Sequence, residues 1–316
     1  MGNIWKDGIY GLIVGDALGV PVEFTSREER KTDPVLGMRE YGTHHQPRGT
    51  WSDDSSMTLA TVDSIRINSG IDYKDLMERF VAWWRYGEYT PFKAVFDMGI
   101  ATANALTRYE EGEAPVNSGG DTEWDNGNGS LMRILPVCLY LCNRQKTTGT
   151  SEAESIDAIH SASALTHAHL RSQIACGIYY FMVKAVIEKE GDLQTRLQIG
   201  MDNACKYYRR DRKNDSELDK YSRLVNLEEL KNTAENQIKS SGYVVDTFEA
   251  AVWCLITTDS YAEAVLKAVN LGDDTDTVGA VTGGLAGLFY GYDAIPEEWT
   301  DSIQGKEWID ELLNGL

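Results

Sequence analysis

Two stretches of the sequence crowd carboxylates and hydroxyls at the start of an apolar segment. Residues 273–277 read DDTDT and precede a Gly- and Ala-rich run, and residues 52–55 read SDDS and precede an apolar run to Ile65. Neighbouring carboxylates repel one another, and one Asp or Thr is enough to cap a helix. Each cluster alone is typical of a helix cap. Two clusters of the same design favour oxygen ligands for two hard divalent cations.

The spacing within the second cluster excludes an EF-hand. If Asp274 opened the loop, Val278 and Leu285 would fall where that loop needs a polar ligand and a bidentate Glu. A third candidate for chemistry is Glu23, which lies between Val22 and Phe24 in a Gly-rich turn. An apolar setting raises a carboxyl pKa, so Glu23 is a candidate general acid or base. The alternative is an ordinary exposed glutamate.

Composition limits the partners and the location. The 316 residues carry a formal net charge of −19, which argues against binding to nucleic acid or to anionic membranes. A small phosphorylated ligand is still possible, because helix N-termini bind phosphate inside acidic proteins. The five cysteines form no C-x-x-C pair, and the first 19 residues carry Asp7 and Asp16 and no basic start. We expect reduced thiols, no signal peptide, no membrane span and a cytoplasmic monomer.

The elements that must position these groups are helices. Helical periodicity of apolar residues predicts helices over 73–89, 169–190, 245–258 and 261–272. The Gly- and Ala-rich segment 277–290 predicts close packing against neighbouring helices. Strand signals are weak, and the polar stretches 112–128 and 209–220 are typical of surface insertions. We expect one all-α domain over residues 1–316.

Six motifs occur in a fixed order across nearly the whole chain: GDALGVPVEF, WSDDSSM, GNGSLMRILP, LTHAH, SGYVVDT and GDDTDTVGAVTGGLAG. In this order they resemble the ADP-ribosylglycohydrolase family, and within it the bacterial branch of dinitrogenase reductase-activating glycohydrolases and ADP-ribosylarginine hydrolases. The resemblance implies an orthogonal helical bundle with a central binuclear Mg²⁺ or Mn²⁺ site. It also implies hydrolysis of the glycosidic bond between ADP-ribose and a protein side chain, with arginine favoured over serine or another acceptor.

The resemblance assigns roles residue by residue. It implies metal ligands at Ser52, Asp53, Asp54, Asp274, Asp276 and Thr277. It implies contacts to ADP-ribose from Asn128, Gly129, Ser130, His167 and Tyr243. Glu23 and Asp53 are the candidate catalytic carboxylates, and the sequence does not decide between them. This chain departs from the family at Ser52 and Ser55, where threonine is common, and at Asp273, where glycine is frequent.

The residues alone leave other interpretations open. Gly127 and Gly129 allow a close approach of backbone to ligand, and Asn128 and Ser130 suit a helix N-cap, but a capped turn explains the same pattern. The partners implied by the resemblance are an ADP-ribosylated protein and released ADP-ribose. A non-catalytic relative that binds ADP-ribose, or a crystallin-like one, would be expected to lack some of the carboxylates. A two-metal phosphoesterase would need a histidine or lysine in the clusters.

Overall fold

The computed structural model describes residues 3–316; Met1 and Gly2, with which the predicted domain begins, lie outside this range. The α-helices are α1 (Ile4–Gly19), α2 (Arg27–Thr32), α3 (Asp53–Asn68), α4 (Tyr73–Tyr86), α5 (Ile100–Glu110), α6 (Leu135–Thr148), α7 (Glu152–Ala164), α8 (Leu170–Glu188), α9 (Leu193–Tyr208), α10 (Asp215–Leu218), α11 (Leu227–Lys231), α12 (Val244–Ile256), α13 (Tyr261–Val269), α14 (Thr275–Tyr290), α15 (Glu297–Ser302) and α16 (Lys306–Leu313). Short 3₁₀ helices cover Val20–Val22, Pro115–Asn117, Leu131–Arg133, Arg212–Asn214, Asp219–Leu224, Glu235–Gln237 and Tyr292–Ala294.

The prediction of an all-α fold is confirmed. Residues 3–316 contain no β-strand, and their isolated bridges join Tyr41 to Gln46, Gly120 to His167 and Gly127 to Tyr243. The four helices predicted from periodicity correspond to α4, α8, α12 and α13, with ends that differ by at most three residues. The helix α4 stops at Gly87, whose φ of 65° leaves the right-handed helical region.

The helices α1 and α14 pack backbone against backbone. A Cβ atom added at Gly15 would lie 2.1 Å from the Gly279 carbonyl oxygen, and one added at Gly283 would lie 2.1 Å from the Gly11 carbonyl oxygen. At the end of α1, a Cβ on Gly19 would lie 2.3 Å from the Asp276 Cα. The Gly-rich composition of this part of the sequence is thereby explained. The contact brings the end of α1 against the first turn of α14, where the second acidic cluster lies.

We predict that Gly15→Ala destabilises the fold. The methyl group would overlap the Gly279 backbone, which cannot rotate away as a side chain would. Overpacking a core typically costs roughly 1–3 kcal/mol, so the free energy of unfolding should fall by at least that much. Urea denaturation measures the change. Gly70→Ala is the matched control, because the new Cβ would lie 3.6 Å from the Asn68 carbonyl oxygen, an ordinary van der Waals distance. Equal stability of the two variants would contradict the packing argument.

The predicted surface insertion at 112–128 is exposed at residues 121–124, but backbone hydrogen bonds also tie its second half to neighbouring segments. The Gly119 amide donates to the Ala164 carbonyl at 3.0 Å, the Ala168 amide to Gly120 at 2.8 Å, and the Asn128 amide to Gly242 at 3.1 Å. These backbone bonds tie residues 119–128 to the segments before α8 and α12. Gly and Asn residues permit such tight backbone paths, but the same composition is typical of exposed loops. The sequence pattern therefore did not distinguish an anchored segment from an exposed loop.

The other predicted insertion, residues 209–220, is mainly exposed, although Asn214 and Leu218 are buried. The cysteines are all free thiols, and Cys205 alone among them is partly exposed. Within residues 3–316, no helix combines the length and apolar character needed to cross a membrane.

Candidate active site

The first acidic cluster is organised by a carboxylate that the sequence analysis did not single out. Asp16, on α1, is fully buried and accepts hydrogen bonds from the Ser52 amide at 3.0 Å, the Ser55 amide at 3.0 Å and the Ser55 hydroxyl at 2.5 Å. Burial raises the Asp16 pKa more than these hydrogen bonds lower it, and the pKa is about 6. Asp16 therefore fixes the start of α3, and the Ser55 hydroxyl is committed to it.

Ser52 precedes α3 and caps it, because its hydroxyl accepts a bond from the Asp54 amide at 3.3 Å. The cap interpretation and the ligand interpretation are thus compatible at this residue. Asp53 and Asp54, in the first turn, are 5% and 1% exposed. Carboxylates are seldom this buried without a cationic partner, so the cluster is more than a solvated helix start.

The second cluster is held from two sides. The Asn128 amide donates to Asp274 Oδ2 at 2.9 Å, and the Thr277 amide donates to Asp276 Oδ1 at 2.9 Å. Asp273 adopts φ of 60°, which is the reason that a glycine suits this position. Its carbonyl accepts from the Phe24 amide at 2.7 Å and its amide donates to Thr25 at 2.8 Å. The second cluster is thereby tied to the chain that carries Glu23.

The two clusters meet, since the Thr277 hydroxyl donates to Asp54 Oδ1 at 3.3 Å. Within residues 3–316, three buried carboxylate oxygens have no hydrogen-bond partner: Asp54 Oδ2, Asp274 Oδ1 and Asp276 Oδ2. Buried acceptors without partners are unfavourable unless something else satisfies them. Several carboxylate oxygens and a hydroxyl are the ligand chemistry that Mg²⁺ and Mn²⁺ prefer, so the residues present fit divalent cations.

Glu23 lies inside this cluster and is 3% exposed. One of its carboxylate oxygens approaches oxygens of Asp274 and Asp276, all within 4.8 Å of one another. A second group of the same compactness joins Glu23 to His44 and Asp97, and His44 Nε2 forms a close contact with Glu23 Oε2. Glu23 is therefore placed both to hold a cation and to exchange a proton. His44 and Asp97 are site residues that the sequence analysis missed.

Without a bound cation, burial and mutual repulsion make it unfavourable for the carboxylates of this cluster to be ionised. Burial raises the Glu23 pKa well above its ordinary value, and the carboxylates of Asp97 and Asp274 raise it further. Burial likewise raises the pKa of Asp53, with Asp97 the next largest cause. A bound cation would reverse these shifts, because an opposite charge at short range favours the ionised carboxylate.

A cavity of about 340 Å³ opens beside the cluster. Its acidic wall includes Glu23, Asp53, Asp97 and Asp274, and the first turn of α5 forms another part of the wall. The residue before α5 is Gly99, which has no side chain to cap the first amide groups of the helix. Free amides at a helix start attract anions. The sequence analysis had not identified α5 as part of the site.

The GNGS motif forms part of the cavity wall, next to Thr102 of α5. Gly127, Asn128, Gly129 and His167 line the cavity, and His167 is 2% exposed. A Cβ on Gly129 would lie 2.8 Å from His167 Cε1, so this glycine is required by packing against the imidazole. Burial, followed by the positive charge of Arg133, lowers the His167 pKa to about 3, so His167 is neutral near pH 7.

Ser130 and Tyr243, two residues predicted to contact ADP-ribose, are not among the residues that line the cavity. The Ser130 hydroxyl is fully buried, where it accepts from the Ser163 hydroxyl at 2.9 Å and lies 3.5 Å from Cys176 Sγ. Ser130 precedes the short helix 131–133 without capping it through its side chain, so the expected N-cap at Ser130 is wrong. The Tyr243 ring is half-buried, with the Arg171 guanidinium 5.8 Å from its centroid. The roles of Ser130 and Tyr243 toward ADP-ribose stay predictions.

Comparison with known proteins decides the family. A family model described as ADP-ribosylglycohydrolase matches residues 5–316. The chain belongs to the ADP-ribosylglycohydrolase family. This confirms the resemblance that the six motifs carried. A solved structure described as an ADP-ribosylglycohydrolase-related protein complex superimposes with a TM-score of 0.76 at 29% identity, over 98% of this chain and 95% of that one.

Relatives within the ADP-ribosylglycohydrolase family include enzymes of named specificity. The ADP-ribosylarginine hydrolase Tri1 of Serratia proteamaculans is 32% identical, over 98% of this chain and 78% of its own length. The ADP-ribosyl-[dinitrogen reductase] glycohydrolase of Rhodospirillum rubrum is 30% identical, over 94% of this chain and 88% of its own. The human ADP-ribosylhydrolase ARH3 is 25% identical, over 97% of this chain and 90% of its own.

Proposed function

We propose that this member of the ADP-ribosylglycohydrolase family hydrolyses the bond between ADP-ribose and an arginine side chain of a protein. The observation that carries the proposal is the set of buried carboxylate oxygens, beside an open cavity, that have no hydrogen-bond partner among residues 3–316. Two relatives support the arginine linkage: both are named ADP-ribosylarginine hydrolase Tri1, and both are more similar to this chain than human ARH3 is.

We assign the cation ligands to Ser52, Asp53, Asp54, Asp274, Asp276 and Thr277, with Glu23 as an additional candidate because of its position between the clusters. The donor set suits two Mg²⁺ or Mn²⁺ ions. Bound there, such ions orient hydroxyl groups of the ribose and acidify water. Asp16 and Asn128 act on this set indirectly, since they hold Ser52 and Asp274 in place.

The proton chemistry is assigned to Glu23. A water oxygen bonds to the anomeric carbon of the ribose while the bond from that carbon to the guanidinium nitrogen breaks. The water proton passes to the Glu23 carboxylate, which then gives that proton to the departing guanidine nitrogen, so that arginine and ADP-ribose are released. Positive charge develops on the ribose ring during this step, and the carboxylates lining the cavity, among them Asp53 and Asp97, stabilise it. Asp53 remains the alternative proton acceptor.

We assign the pyrophosphate and the adenine of ADP-ribose to other parts of the cavity wall. The free amides at the start of α5 suit the pyrophosphate, because a helix N-terminus attracts negative charge. Gly127, which lines the cavity, pairs with Tyr243 through the backbone, and on this ground we assign the adenine to Tyr243. An aromatic face there offers a stacking surface for adenine.

Tyr243→Ala should weaken the binding of ADP-ribose far more than the binding of metal. Loss of stacking on a base costs roughly 1–3 kcal/mol, which corresponds to about 5- to 150-fold in dissociation constant. Calorimetry with ADP-ribose and separately with Mn²⁺ measures both. Tyr243→Phe keeps the ring and is the matched control, with near wild-type affinity expected. An unchanged dissociation constant in Tyr243→Ala would remove this ring from the site.

The activity is tested with purified protein and two peptides, one carrying ADP-ribosyl-arginine and the other ADP-ribosyl-serine. With Mg²⁺ or Mn²⁺ present, we expect rapid release of ADP-ribose from the arginine peptide and slow or no release from the serine peptide. Preference for serine would overturn the assigned linkage. Binding of ADP-ribose without release from either peptide would favour a non-catalytic relative.

A further inference from the structure

Three large apolar side chains surround the mouth of the cavity and are exposed to solvent. Phe24 is 67% exposed, Ile100 is 81% exposed and Trp124 is 95% exposed. They come from three segments far apart in the sequence, and all three belong to the lining of the same cavity. Scattered apolar residues are normal on protein surfaces, whereas apolar groups that converge at one opening mark an interaction site.

Ordered backbone presents each of these side chains. The Phe24 amide donates to the Asp273 carbonyl at 2.7 Å, and Ile100 is the first residue of α5. Trp124 lies in a turn closed by the bond from the Thr122 hydroxyl to Asp125 Oδ2 at 2.6 Å. These side chains are therefore held at the mouth, and covering them with another apolar surface would be favourable by the area removed from water.

An ion pair also anchors the turn around Trp124. The neighbouring Glu123 carboxylate pairs with the Arg171 guanidinium at 3.1 Å, and that guanidinium is 6% exposed. The same guanidinium pairs with Glu217 at 2.7 Å. An exposed tryptophan on an anchored turn loses little conformational entropy when a partner packs on it, which is a property of interface anchors.

The size of the cavity determines which part of the substrate enters it and which part stays at the mouth. A volume of about 340 Å³ lies at the small end of the range for small-molecule sites, so it accommodates a nucleotide-sugar group and no folded carrier. If the carboxylates at the base act on the bond between ribose and arginine, the polypeptide on the far side of that bond must lie against the mouth.

Resting on the proposed function, we propose that Phe24, Ile100 and Trp124 form a docking rim for the polypeptide that carries the ADP-ribosyl group. The rim is uncharged and apolar, so it favours apolar side chains within a few residues of the modified arginine. The carboxylates just inside the mouth, including Asp53 and Asp97, complement the positive charge of the substituted guanidinium. The rim thus selects the carrier, and the cavity selects the ADP-ribosyl group.

The test compares three substrates: a peptide with ADP-ribosyl-arginine flanked by leucine and phenylalanine, the same peptide with serine at the flanks, and free ADP-ribosyl-arginine. The variants are Trp124→Ala and Ile100→Ala. Controls are Trp308→Ala and Leu36→Ala, since these exposed apolar residues lie in other clefts, beside Tyr89 and Trp299 respectively. The readout is the ratio of kcat/KM between substrates, which does not depend on the fraction of folded protein.

We expect unmodified protein to prefer the apolar-flanked peptide over the serine-flanked one. Each rim variant should lower kcat/KM for the apolar-flanked peptide, relative to free ADP-ribosyl-arginine, by about tenfold, as truncation of an interface anchor does. The controls should leave the ratio unchanged. An equal loss with all three substrates, or no loss with any, would overturn the docking rim. Absence of release by the unmodified protein would instead overturn the proposed function, and the rim with it.

Discussion

Replacing Asp54 by alanine will abolish the release of ADP-ribose while the helical fold persists. Asp54 is 1% exposed, one of its oxygens accepts from Thr277, and within residues 3–316 the other has no hydrogen-bond partner. Alanine removes a ligand from each cation that this carboxylate would hold. Asp274→Ala should have the same effect, because Asp274 Oδ1 is likewise without a partner in the described chain. Release of ADP-ribose at limiting Mn²⁺ measures the loss.

Stability in EDTA separates loss of a ligand from loss of the fold. Burial raises the Asp54 pKa well above its ordinary value, and Asp16 and Asp53 raise it further. An ionised carboxylate with a raised pKa weakens the fold at neutral pH, so its removal should leave the melting temperature in EDTA at or above that of the unmodified protein. Asp157→Ala, on the exposed face of α7, is the control for loss of one charge. Near wild-type release by either site variant would show that the ligand assignment is wrong.

Glu23→Gln will lower turnover by roughly 10²–10⁴-fold at saturating metal, the usual contribution of a general acid or base. Glutamine keeps the size and polarity of the side chain but does not exchange a proton near neutral pH. Affinity for ADP-ribose should change little, because the assigned binding groups lie at α5 and Tyr243. Single-turnover kinetics with the arginine peptide, run beside a Mn²⁺ titration, measures rate and metal affinity separately.

The geometry around Glu23 gives this experiment a matched control. Asp97 lies with Glu23 and His44 in one compact group, and it lines the same cavity. Asp97→Asn should lower turnover less than Glu23→Gln if Glu23 accepts the proton. A change in metal affinity in Glu23→Gln would identify Glu23 as a ligand, as its proximity to Asp274 and Asp276 permits. Unchanged turnover at saturating metal would contradict the proton-transfer role.

The sequence predicted those parts of the site that are local in the chain. Helical periodicity located α4, α8, α12 and α13, and two short acidic clusters located the first turns of α3 and α14. These signals lie within a few consecutive residues, where side-chain type directly reflects helix capping and ligand chemistry. The Gly-rich pattern also indicated the close packing of α14, although not that α1 is its partner.

The groups that the sequence analysis missed depend on contacts between distant segments. Asp16 resembles any polar residue in an apolar helix, and its role follows from bonds to Ser52 and Ser55 across 36 and 39 residues of chain. Asp97 lies in an irregular segment with φ of 54°, and only the folded chain brings it to Glu23. Ser130 is a different case: its motif suggested a ligand contact, the fold places its hydroxyl in the core, and its role toward ADP-ribose stays a prediction.

The central claim is that the buried carboxylates of α3 and α14 hold divalent cations needed to release ADP-ribose from arginine. Its most direct test strips the protein with EDTA, removes the chelator, and titrates Mn²⁺ while following ADP-ribose released from the arginine peptide. We predict no release from stripped protein, and a rise to a plateau as about two Mn²⁺ bind per chain, the stoichiometry of a two-metal site. Full release from the stripped protein, with no response to added Mn²⁺, would contradict the claim.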